Sequence, residues 1–86
     1  MPQNASVTPQ DVMDWIHESL GDCQGAYEVQ DLSFIKKTVR VITLRHDAYF
    51  DVESARWGAL NDAEGRPALT EDLRRWALRS LPHGLK

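Results

Sequence analysis

Two stretches of helical apolar spacing, each carrying a tryptophan, bracket a middle segment that favours strands. The first stretch is Val12, Trp15, Ile16, Ser19 and Leu20, and the second is Leu73, Trp76, Ala77, Ser80 and Leu81. Side chains three and four positions apart share one face of a helix, so each stretch presents one apolar stripe. Between them, Val39, Val41, Ile42, Thr43 and Leu44 have high strand propensity. At 86 residues the chain is one domain. A domain this small buries only about 60–65% of its unfolded surface, so its core is thin and the stripes must share it with the strands. Three tryptophans help, because each ring buries roughly 150–250 Å².

Residues 1–7 read as a disordered tail. Thr8-Pro9-Gln10-Asp11 is a helix start, with Thr8 as cap, Pro9 at the first helical position and Asp11 placed to complete a capping box. The first helix is expected over 9–20, ended by Gly21 in a positive-φ conformation. A first strand follows over 26–34 and a second, the clearest, over 37–46. Neither face of that second strand is cleanly polar, because Arg40 and His46 flank Ile42 and Leu44. Residues 49–60 read as a strand with a bulge near Gly58, with a short helix over 52–60 as the rival reading. Residues 61–67 are a loop by composition. Thr70 then caps a second helix, with Glu71 and Asp72 in its first turn and Pro82 at its end. Residues 83–86 form a short tail.

The expected fold is α+β: a small two-layer domain over 8–82, in the order helix-strand-strand-strand-helix. Its antiparallel three-stranded sheet carries both helices on one face. The order resembles that of double-stranded-RNA-binding domains. Their lysine-rich second-helix signature is absent, since the last helix here has Arg74 and Arg75 after Glu71 and Asp72. The resemblance is topological and implies no RNA binding.

The single Cys23 excludes an internal disulfide and a cysteine-based zinc site. An unpaired thiol fits a reducing compartment, and no basic-then-apolar leader opens the chain, so a cytoplasmic location is expected. No apolar run approaches the roughly 20 residues that span a bilayer. A pI near 5.5 argues against broad, nonspecific DNA binding, which depends on Lys and Arg neutralising phosphates.

No glycine-rich phosphate loop or HExxH pattern is present. His17, His46 and His83 are too dispersed to read as a metal site. Cys23 lies beyond a helix end rather than at a helix start, so nothing in the sequence activates its thiolate towards His46. The sequence therefore predicts a binding module rather than an enzyme, with no cofactor and no metal.

Charge is sorted along the chain. Residues 1–35 carry acids and no Lys or Arg, while 36–46 carry Lys36, Lys37, Arg40 and Arg45 with no acid. Asp11, Asp14 and Glu18 recur opposite the first apolar stripe, and with Asp22 they form an acidic ridge. The ordinary role of such a ridge is a solvated helix face. Its functional reading is a docking surface for a protein with a basic surface, steered by charge. A ridge of this kind also mimics a row of phosphates, which suits an inhibitor of a nucleic-acid-binding protein. The alternative surface is basic: Lys36, Lys37, Arg40 and Arg45, with Tyr49 and Phe50 placed to stack on bases. Opposite patches also permit a homodimer, with the outward Leu78 adding apolar area.

Overall fold

The computed structural model describes residues 7–23, 25–34 and 36–81. Helix α1 spans Pro9–Ser19, β1 Tyr27–Asp31, β2 Thr38–Thr43 and β3 Tyr49–Glu53. A short helix α2, Ser54–Trp57, and a 3₁₀ turn, Gly58–Asn61, lead into α3, Gly65–Ser80. The strands form one antiparallel sheet in the order β1-β2-β3. The chain is thus a small α+β domain with two long helices packed on a three-stranded antiparallel sheet. Both tail assignments lie largely outside the described residues, but Val7 is described and belongs to the core.

Local signals position the first helix. Thr8 Oγ1 accepts from the Asp11 N–H at 3.2 Å, and the Thr8 N–H donates to Asp11 Oδ2 at 3.0 Å. This reciprocal box satisfies two amide donors that a helix start leaves open. The helix ends through Leu20, and Gly21 opens a one-turn 3₁₀ helix, Gly21–Cys23. The positive φ expected at Gly21 occurs instead at Gly25, just before β1.

The core lies between one face of the sheet and the two long helices. Val12, Trp15, Ile16 and Leu20 meet Leu73, Trp76, Ala77 and Leu81 there, all buried. Register places Val29, Val41 and Phe50 side by side, with Val39 beside Val52. The tilted Phe50 and Trp76 rings, 5.7 Å apart, join β3 to α3. The indole N–H of Trp15 donates to Thr70 Oγ1 at 2.9 Å, linking α1 to α3.

Two expectations fail at the second half of the chain. The third strand ends at Glu53 rather than continuing to residue 60. Continued alternation from the buried Val52 would turn Trp57 to the opposite face of the sheet. Coiling over 54–57 instead brings Trp57 back to the core, where its indole N–H donates to the Val52 carbonyl at 2.8 Å. The final helix also starts five residues before Thr70. Pro67 falls in its first turn, where a missing N–H leaves no intrahelical bond unmade. Asp62 Oδ2 accepts from the Gly65 N–H at 3.1 Å and closes that start. A side chain at Gly65 would meet Ala59 Cβ and Asp62 Oδ2 at 3.0 Å, so glycine marks a close approach of α3 to the preceding turn. Thr70 lies inside the helix, donating to the Arg66 carbonyl at 2.8 Å rather than capping an end.

Candidate functional site

The four acids of the proposed ridge keep different company. Asp11 is held by the capping box, and Asp14 accepts from the Gln10 amide at 2.8 Å. Glu18 pairs with Arg66 at 3.0 Å. Asp22 pairs with Arg74 at 3.3 Å, and Arg74 also donates to the Ser19 carbonyl at the end of α1. The Arg74 hydrogen bond holds the Asp22 carboxyl below its ordinary range. Half of the ridge is therefore neutralised by arginines from α3.

Three of the four ridge acids, including the paired Glu18, border a cleft. Asp11, Asp14, Trp15 and Glu18 of α1 face Leu60 and Asn61 of the 3₁₀ turn, with Val7 and Arg66 completing the wall. The cleft has a volume of about 420 Å³. Arg66 spans it, donating to both Glu18 Oε1 and the Leu60 carbonyl. Three carboxylates and one guanidinium thus border a space flanked by apolar Trp15 and Leu60. The net field is negative, and the chemistry suits a cationic side chain with an aliphatic stem.

The basic set is not gathered in the same way. Lys36 and Lys37 precede β2, and Arg45 follows it, so a six-residue strand of roughly 20 Å separates them. Lys37 takes a left-handed conformation, φ 55°, at the entry to β2. Arg40 lies between these ends, bound to Asp51 through two hydrogen bonds of 2.6 and 3.0 Å. Its guanidinium also sits 4.7 Å from the centre of the Tyr49 ring. The Arg40 bond holds the Asp51 carboxyl low, with lesser support from Lys36, and Asp51 in turn raises the Arg40 pKa. Tyr49 and Phe50 are neighbours on a strand and face opposite sides of the sheet. Phe50 packs against the core, so the two rings do not form one stacking platform.

Cys23 is buried in the core, and burial, aided by the Asp22 charge, pushes its thiol pKa up. His17 Nδ1 lies 2.9 Å from the Tyr27 hydroxyl, so this histidine joins α1 to β1. His83 lies outside the described residues. Among the described residues no group of three or more His, Cys, Asp or Glu is arranged to hold a metal ion, and no helix is long and apolar enough to cross a membrane.

One exposed ring lies outside every expected surface, and a second surface was anticipated only through Leu78. Phe34, in the β1–β2 connection beside Lys36, is 97% exposed. On α3, residues Pro67, Thr70, Glu71, Arg74, Arg75 and Leu78 line an open furrow of about 630 Å³. Helical spacing of the outward Leu78 with Arg74 and Arg75 carried part of that second signal. The earlier start of α3, which adds Pro67, did not show in the sequence.

Comparison with protein-family models, with curated proteins and with solved structures finds no match to this chain.

Proposed function

We propose that this domain is a non-catalytic protein-binding module that captures a basic side chain of its partner in the cleft beside α1. The observation that carries this reading is the convergence of Asp11, Asp14 and Glu18 on one cleft flanked by Trp15 and Leu60. A lysine or arginine entering there would lay its stem along the exposed edges of Trp15 and Leu60 while its head meets carboxylates. Charge of this kind steers encounter and sets orientation, so binding should be stoichiometric and weaken with salt. A nucleic-acid-binding protein presents one such basic surface. The pairing of Arg40 with Asp51 and the inward packing of Phe50 favour the acidic cleft over the basic strand as the binding surface.

A direct test is titration of the isotope-labelled domain with a short arginine-rich peptide at low salt, followed by NMR. Shifts concentrated at Asp14, Trp15, Glu18, Leu60 and Asn61, and lost in the Asp14→Lys/Glu18→Lys variant, are expected. Asp11 should be left in place, because its carboxylate closes the capping box. No shift at these positions, or equal binding by the folded variant, would remove the cleft from the mechanism.

A further inference from the structure

The furrow on α3 runs from the seam with α1, where Thr70 and Arg74 bond to Trp15 and the Ser19 carbonyl, onto the outward side of that helix. At 100° per residue, Pro67, Glu71, Arg74 and Leu78 form one stripe opposite the buried Leu69, Leu73 and Trp76. Leu78 is 63% exposed and, one helical turn from Arg74 and Arg75, is the large apolar side chain at one end of this stripe. The arginines around it carry no excess charge. Arg66 is paired with Glu18, Arg74 with Asp22, and Arg75 with Glu71 at 2.7 Å. Such a balanced, largely apolar furrow has little to offer a phosphate or an acidic peptide.

Its sequence is complementary to itself. When two copies of α3 are laid antiparallel about a twofold axis near the middle of the stripe, Leu78 of one copy meets Pro67 of the other. Glu71 of one copy meets Arg74 of the other, and symmetry repeats each contact at the far end. Apolar groups thus face apolar groups at both ends, and no like charges are brought together at the centre, where Glu71 and Arg74 each keep a partner in their own chain. We propose that a second copy of this chain occupies the α3 furrow, forming an antiparallel helix-to-helix homodimer. Helix α3 has 16 residues, about 24 Å, so one helix pair provides a small interface. The dimer is accordingly of the weak, concentration-dependent class. The cleft beside α1 is bordered chiefly by other residues, so this inference does not rest on the proposed binding function.

Sedimentation equilibrium between about 5 µM and 1 mM tests it. The average mass should rise from 9.8 kDa towards twice that value with concentration. Leu78→Asp should weaken self-association at least tenfold, with an unchanged far-ultraviolet circular dichroism spectrum. Should that variant fail to fold, Leu78→Ser serves the same purpose. Leu44→Asp, on the open face of the sheet, should leave the dimer intact. A wild-type chain that stays monomeric at 1 mM overturns the proposal. A dimer that survives the loss of Leu78, or is dispersed by Leu44→Asp instead, overturns it equally.

Discussion

The two faces of β2 are built from alternate residues of one strand, yet they are held by different physics. Val39, Val41 and Thr43 point into the helix layer and are almost wholly buried. Arg40 and Ile42 point the other way and are only half-buried. On the covered face, close packing against Val52, Ile16 and Leu73 does the work. On the open face, a charged pair and a cation–π contact bind Arg40 to Asp51 and Tyr49 across the β2–β3 ladder. Exposed pairs of that kind contribute little, because water and salt screen them. The covered face therefore sets stability. The open face keeps Leu44 and Tyr49 about half exposed without collapsing on them.

The largest effect should come from the covered face. Val41→Ala is expected to cost about 2–3 kcal/mol in urea unfolding, from lost transfer energy and the cavity left behind. The adjacent Ile42→Ala removes more carbon from the open face, yet should cost under about 1 kcal/mol, because that side chain remains partly wet in the folded state. Equal costs for the two variants would break the comparison and mean that the open face is covered in solution.

The smallest effect should be Asp51→Asn, below about 1 kcal/mol near neutral pH. It has a pH signature that sharpens the comparison. The folded Asp51 pKa is depressed chiefly by Arg40, so the ionised form is the one that folding favours. Its contribution is present above the unfolded carboxyl pKa of about 3.9 and is lost as pH falls through the lower folded value. Wild-type stability should thus drop more steeply below about pH 4 than that of Asp51→Asn. Parallel curves for the two proteins would show that the Arg40 pair contributes nothing in solution.

How much of this was legible from the residues depended on how local each cause was. The start of α1 was legible because its cap and box lie within four consecutive positions, Thr8 to Asp11. The core stripes were legible because their period is helical: every apolar residue of the two stripes is buried, while Ser19 and Ser80 are only half-buried at their edges. The start of α3 was not. Gly65 and Pro67 carry the composition of a loop, and only the close approach of Ala59 and the accepting Asp62 reveal why a helix tolerates them. Thr70 misled for a related reason, since its hydroxyl serves Trp15, 55 positions away.

The candidate site followed the same pattern. The acids on α1 could be read from spacing alone. The arginines that neutralise Glu18 and Asp22 lie 48 and 52 positions downstream, where no local pattern marks them. The far wall of the cleft, Leu60 and Asn61, falls in the segment expected to be strand or loop. Charge sorting along the chain was visible, but its cancellation in space was not.

The hydrogen bond from the Trp15 indole to Thr70 has a practical consequence. Trp15 senses the seam between the two long helices, whereas Trp57 senses the corner where the third strand turns into a coil. Slow solvent exchange at one indole and fast exchange at the other would reveal which joint opens first, with no label added to the protein.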